Sequence, residues 1–305
     1  MNKPDLSVRL AGVTMKNPVV AVSGCFGFGR EYGELYDLSR LGGVCAKGLT
    51  LRPREGNPPP RVAETPMGML NSVGFQNPGA EAFLRDELPF MCQFDVAVIA
   101  NISGNTPAEY AEMADMLGDA VDALEVNISC PNIKAGGIQF GIDPASAAEV
   151  TAAVKNKAKC PLFVKLTPNV TDIAAVARAV RDAGADGLSL INTVSGLRID
   201  PETRRPILRM NTGGLSGPAV LPVALRCVWQ VSGLGLPILG MGGVSAASDA
   251  VEMMLAGAGA VGVGTAMFRD PYAPLKIVQG LLEYAETHGL ERIADLTGGM
   301  RPWET

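Results

Sequence analysis

The sequence predicts an α/β protein folded as a (β/α)8 TIM barrel with long loops at its C-terminal face. Two observations lead there. Eight short apolar runs recur along the 305 residues, and amphipathic helical stretches separate them in strict alternation. Strict alternation calls for parallel strands joined by helical crossovers, and eight units suit closure into a barrel better than an open doubly wound sheet.

The strand candidates are residues 19–24, 43–47, 96–102, 123–129, 162–166, 187–192, 237–240 and 260–263. Each is apolar, short and bounded by Gly, Pro or polar residues, as expected of strands covered on both faces. The helix candidates are 31–41, 80–91, 107–120, 144–158, 172–183, 218–232, 246–256 and 272–288. Thr106-Pro107 and Asp143-Pro144 each put a capping side chain before a proline in the first turn. Gly184 and Gly257 follow the ends of their helices. No linker interrupts the pattern, so a single domain over 1–305 is expected. Three connections, 48–79, 130–143 and 193–217, are long for strand-to-helix loops. All three follow a strand, which places them at the barrel face where active sites form.

Composition narrows the function. Hydrophobic residues make up 47% of the chain, and the formal net charge of −5 without a basic run disfavours nucleic acid. The start, MNKPDLSVRL, lacks the apolar segment of a signal peptide, and no run of about 20 apolar residues exists to span a membrane. Cys25, Cys45, Cys92, Cys130, Cys160 and Cys227 are scattered without a C-x-x-C. That spacing suits neither a metal site nor a disulfide framework, and it fits a reducing cytoplasm. The one histidine, His288, lies near the C-terminus, so a catalytic Ser-His or Cys-His pair is not expected.

The chemistry concentrates at the strand ends. The last two strands run into Gly240-Met241-Gly242-Gly243-Val244-Ser245 and Gly262-Val263-Gly264-Thr265-Ala266. Glycine turns after the seventh and eighth strands of such barrels commonly offer backbone N–H groups to a phosphate. A cofactor and a phosphorylated substrate are both compatible with this signal. Lys47, Asn101, Asn127, Lys165, Asn192 and Thr193 fall in or just after otherwise apolar runs, where an unpartnered polar group is costly. Their convergence predicts a ligand site. The titratable set read there is Lys47, Lys165 and Cys130, which suits an anionic ligand and proton transfer by a thiol. It does not suit the paired carboxylates of glycoside hydrolysis.

Longer motifs carry a resemblance. Lys47-Gly48, then Pro53-Arg54-Glu55-Gly56-Asn57-Pro58-Pro59-Pro60-Arg61, then Asn71-Ser72-Val73-Gly74-Phe75-Gln76-Asn77 occur in order. Asn127-Ile128-Ser129-Cys130-Pro131-Asn132, Asn192-Thr193, Gly240-Met241-Gly242-Gly243 and Gly264-Thr265 follow. Together they resemble the soluble, class 1 dihydroorotate dehydrogenases over nearly the whole chain. The resemblance implies an FMN flavoprotein of pyrimidine (UMP) biosynthesis that oxidises dihydroorotate to orotate, with Cys130 as the base. It implies that Ser23, Lys47, Gly48, Asn101, Asn127, Lys165, Ile191, Gly217, Gly242, Gly243, Gly264 and Thr265 hold FMN. It further implies that Lys47, Asn71, Val73, Gly74, Phe75, Asn127, Asn132, Asn192 and Thr193 surround the pyrimidine. The glycines Gly136, Gly137 and Gly141 suggest that loop 130–143 acts as a lid.

Within that family, the segment Pro58–Thr65 and Cys25-Phe26-Gly27-Phe28-Gly29 look most like the NAD-linked 1B catalytic subunits. The resemblance then implies a homodimer associated with a second subunit carrying FAD and a [2Fe–2S] cluster. A fumarate-linked enzyme is the alternative within the family. Outside it stand the FMN domain of a dihydropyrimidine dehydrogenase, disfavoured by Asn132, and a flavin-free phosphate-binding barrel lyase or isomerase.

Overall fold

The computed structural model describes residues 3–128 and 140–303. Eight parallel strands close into a barrel: β1 Val19–Ala21, β2 Gly43–Cys45, β3 Ala97–Ile102, β4 Ala123–Asn127, β5 Leu162–Lys165, β6 Gly187–Leu190, β7 Ile238–Met241 and β8 Ala260–Val263. Each pairs with its sequence neighbours and β8 returns to β1, so the predicted barrel is the observed one. Five of the eight strands have every residue buried in their own apolar run and end one to three residues before the run does; Asn192 and Thr193, for example, follow β6 rather than belonging to it.

The main crossover helices are α1 Pro107–Leu117, α2 Pro144–Lys155, α3 Ile173–Asp182, α4 Leu221–Ser232, α5 Ala247–Ala256 and α6 Ala273–Thr287. Thr106, Asp143 and Asp172 cap the first three through side-chain oxygens that accept from backbone N–H groups three residues on. The early helices depart from expectation. The stretch 31–41 is a short turn, Arg30–Gly33, followed by a separate 3₁₀ turn, Leu38–Arg40, because Asp37 accepts from the Ser39 N–H and opens a new turn. The stretch 80–91 is helical but widens to a π-helix over Phe83–Glu87. Pro89 has no N–H to donate one turn back, which breaks the regular ladder there.

Two further features were not anticipated. A hairpin, Val8–Leu10 with Val13–Met15, buries Val8, Leu10, Val13 and Met15. Leu10 packs on Gly259 and Met15 on Gly43, at the starts of β8 and β2, so the hairpin floors the barrel at its N-terminal end. At the other end, the connections after β2 and β6 are not plain loops. They supply an antiparallel sheet in the order Val194–Gly196, Gly213–Ser216, Gly68–Asn71 and Val62–Thr65. This sheet stands over the strand ends. No helix among the described residues is long and apolar enough to cross a membrane.

Candidate active site

A cavity of about 450 Å³ opens at the C-terminal end of the barrel, within the size range of small-molecule sites. Its floor follows from strand alternation. β2, β4, β6 and β8 lead to Lys47, Asn127, Ile191 and Gly264, while β1, β3, β5 and β7 contribute Val22, Asn101, Lys165 and Met241. The outer sheet forms one wall with Met69, Asn71, Leu215 and Ser216, and Val73, Gly74 and Phe75 form the rim.

Every described residue that the sequence assigned to the site lines this one cavity. That covers Ser23, Lys47, Gly48, Asn71, Val73, Gly74, Phe75, Asn101, Asn127, Lys165, Ile191, Asn192, Thr193, Gly217, Gly242, Gly243, Gly264 and Thr265. Cys130, Asn132 and most of the loop expected to act as a lid lie outside the described residues.

Local bonds hold these groups in place. The Lys47 N–H donates to the Gly27 carbonyl at 2.8 Å, pinning the backbone where the chain leaves β2. Tyr110, buried on α1, donates its hydroxyl to the Asn127 carbonyl at 2.8 Å. Asn192 Oδ1 accepts from the Thr193 N–H at 2.8 Å, and Asn169 Nδ2 donates to the Thr193 carbonyl at 3.0 Å. At the rim, Phe75 has a left-handed backbone (φ 56°), a strain of about 1–3 kcal/mol for a bulky residue. Asn77 Nδ2 donates to its carbonyl at 2.7 Å, and Asn57 N–H to the Val73 carbonyl at 2.9 Å, so the strained turn is tied down on both sides. A Cβ on Gly48 would stand 3.2 Å from the Phe75 ring and 2.9 Å from Asn101 Oδ1, so the ring closes on the floor only because position 48 has no side chain.

The glycine turns fit a bound phosphate. Asp249 accepts from the Ser245 and Ala246 N–H groups and so caps α5 internally. The receptive backbone is therefore the Gly242–Val244 turn itself, with Gly264–Ala266 beside it. Gly243 has φ +84°, and a Cβ there would lie 2.6 Å from the Leu221 nitrogen at the start of α4. Only glycine lets this turn sit so close to the helix.

The charged side chains that line the cavity among the described residues are cations. Lys47 and Lys165 line it, and no carboxylate does among the described residues. Cys25, which the sequence reading did not assign, opens on the cavity beside them. Burial pushes its thiol up to about 11, against the pull of Lys47, a hydrogen bond with Thr265 and the charge of Lys165. The larger omission is Glu125. It lies just under the floor, is fully buried, and forms an ion pair with Lys165 at 3.1 Å. It was legible in principle as the only acidic residue in the apolar β4 run.

A closed parallel barrel whose strand ends converge two lysines and several amides on one cavity, flanked by glycine turns, defines an α/β-barrel enzyme with an anion-receptive active site. The family model for dihydroorotate dehydrogenase matches residues 5–284. The relatives include the dihydroorotate dehydrogenase B (NAD(+)) catalytic subunit of Pelobacter propionicus, 53% identical over 301 residues, 98% of this chain and 99% of the relative. The protein of the same name from Geobacillus kaustophilus is 54% identical over 303 residues, 98% of this chain and 96% of the relative. That from Geotalea daltonii is 52% identical over 304 residues, 99% of this chain and all of the relative. The chain belongs to the dihydroorotate dehydrogenase family.

Proposed function

We propose that this chain is the FMN-binding catalytic subunit of an NAD-linked dihydroorotate dehydrogenase, which oxidises dihydroorotate to orotate in pyrimidine biosynthesis. The observation that carries the reading is the meeting of Lys47, Lys165, Asn71, Asn101, Asn127 and Asn192 in one cavity bounded by two glycine turns. FMN, when bound, supplies a two-electron acceptor for hydride.

The chain's residues do the rest. The Gly242–Val244 and Gly264–Ala266 turns offer N–H groups to the phosphate. Ser23, Gly48, Ile191 and Gly217 line the space for the ring system. Lys165, low in the floor, would supply positive charge to a reduced flavin held there. The amides of Asn71, Asn127, Asn132 and Asn192 both donate and accept, matching a pyrimidine ring that carries C=O and N–H groups. Thr193 and Lys47 add a hydroxyl and a cation for the substrate carboxylate, and Val73, Gly74 and Phe75 cover it. By the resemblance, Cys130 takes the proton from the carbon next to the one that loses hydride.

The electrons then leave through a partner subunit carrying FAD and a [2Fe–2S] cluster, on their way to NAD⁺. The names of the relatives support this route over the fumarate-linked one. A cytoplasmic homodimer bound to that partner completes the reading. The test is anaerobic addition of dihydroorotate to the purified protein while following the yellow absorbance of oxidised flavin. Bleaching is expected. A colourless protein that binds no FMN overturns the reading, and rapid reoxidation by fumarate alone overturns the NAD-linked assignment.

A further inference from the structure

The layer beneath the cavity floor contains a charge that the proposed chemistry does not yet use. Two residues below Lys47, Asn127, Ile191 and Gly264, alternation points Cys45, Glu125, Ser189 and Gly262 into the barrel. Glu125 is 0% exposed. Its Oε2 accepts from Lys165 Nζ at 3.1 Å, from Cys45 Sγ at 3.6 Å and from Asn101 Nδ2. Its Oε1 has no partner within the described residues, and neither has Ser189 Oγ in the same layer. Removing a carboxylate from water costs several kcal/mol even after relaxation, and an apolar pair is often at least as stable. A barrel core gains nothing in packing from this charge, which points to a role in the site above it.

That role follows from what a carboxylate cannot do: it only accepts. Asn101 must therefore turn its NH₂ down towards Glu125, which leaves Asn101 Oδ1 facing Asn127 Nδ2 at 3.4 Å. Asn127 Oδ1 in turn faces Asn192 Nδ2 at 3.4 Å, and Asn192 Oδ1 accepts from the Thr193 N–H. One buried anion thus gives a direction to three amides in succession.

We propose that Glu125 is a positioning residue which, as the ion-pair partner of Lys165, holds that side chain against the pocket floor and sets the orientation of the Asn101–Asn127–Asn192 amides for the bound flavin and pyrimidine. This rests on the reading of the cavity as an FMN site. The other titratable groups facing this pair among the described residues are Cys45 and Lys47 on and after β2, and Cys25 after β1. Burial, followed by the charge of Glu125, holds the Cys45 thiol well above its ordinary value, and Cys25 is also raised. Neither thiol is an anion near neutral pH, so among the described residues the ion-pair partner of Lys165 is Glu125.

The experiment compares Glu125→Gln with the wild-type protein. Affinities for oxidised and reduced FMN are measured from about pH 6 to about pH 9, and the preference for reduced flavin is taken relative to wild type at each pH. Without its counter-ion a buried lysine loses its proton more easily. The variant is expected to match or exceed the wild-type preference at the acid end and to fall about tenfold by the alkaline end, equivalent to about 30 mV for a two-electron couple. A purely structural loss would shift affinity equally across the range. A preference that tracks wild type at every pH overturns the proposal, whereas wild-type protein that binds no FMN overturns the reading of the site instead. A second arm needs no flavin. Lys165→Met strands a buried carboxylate, so the double variant Glu125→Gln/Lys165→Met is expected to melt at a higher temperature than Lys165→Met alone. A double variant that is no more stable, or that does not fold, overturns the pairing.

Discussion

Replacing Gly243 with alanine tests the geometry of the glycine turn most directly, because two controls lie in the same chain. Gly243 combines a left-handed backbone, φ +84°, with a Cβ position 2.6 Å from the Leu221 nitrogen and 2.8 Å from its Cα. The conformation costs an alanine roughly 1–2 kcal/mol. The contact is with backbone at the start of α4, which yields less than a side-chain tip, and adds about 1–3 kcal/mol. The sum is about 2–5 kcal/mol, or a fall in melting temperature of about 4–10 °C at about 2 °C per kcal/mol for a chain of this size. Gly235 shares the left-handed backbone, φ +78°, but has nothing within 4 Å of its Cβ position, so Gly235→Ala isolates the strain. Gly233 has φ −75° and equally open surroundings, so Gly233→Ala is expected to be neutral or slightly stabilising, by about 0.4–1 kcal/mol. Thermal unfolding of the three variants by circular dichroism should rank them 233, 235, 243 in order of increasing loss. Only Gly243→Ala should also weaken FMN binding, since only it displaces the turn proposed to hold the phosphate. A Gly243→Ala protein as stable as Gly233→Ala, with unaltered FMN affinity, would refute both the crowding and the cradle.

Four further outcomes are expected. Cys130→Ala should slow flavin reduction by dihydroorotate about 10²–10⁴-fold in stopped-flow while FMN stays bound, and unchanged reduction would remove Cys130 from the proton transfer. Cys130→Ser should recover activity only at high pH. The folded state holds the Cys25 proton more tightly than the unfolded chain does, so this thiol leaves stability untouched below its ordinary value of 9.0 and lowers it as pH rises towards about 11. The loss is at most about 3 kcal/mol, less because the thiol opens on the cavity, and Cys25→Ala should flatten that alkaline decline in melting temperature. Tyr110→Phe should cost about 1–2 kcal/mol by removing the hydroxyl from the buried Asn127 carbonyl, read as a shift in the urea midpoint; an unshifted midpoint would mean that water or another donor replaces it.

The barrel was legible because its strands are buried on both faces, which leaves apolar runs such as LFVK and AVGV that stand out from their surroundings. The site was legible for the complementary reason: Lys47, Lys165 and Asn101 violate those runs, and a violated run asks for a ligand. The same argument applies to Glu125, but its partners are 24, 40 and 80 residues away, so its environment could not be read from its own segment. The outer sheet escaped for a related reason. Gly213–Ser216 is glycine-rich and its register is set by Asn71, which pairs with Gly214, 143 residues further along the chain. Such strands have little preference of their own, and distant partners decide them. The π-helix over Phe83–Glu87 depends on where the missing Pro89 donor falls within the ladder, a detail that apolar periodicity does not encode.

The wall of the cavity has a consequence for how the molecule is assembled. Its two central strands come from the second and sixth crossings of the barrel, so neither half of the polypeptide contains a complete pocket. Bringing them together closes a long stretch of chain for little buried apolar surface, which makes this rim among the last parts to order and the first to open. A molecule seated against it would act as a clasp between the two halves, and protease nicks in the segments 62–71 and 194–216 should become rarer as that molecule is added.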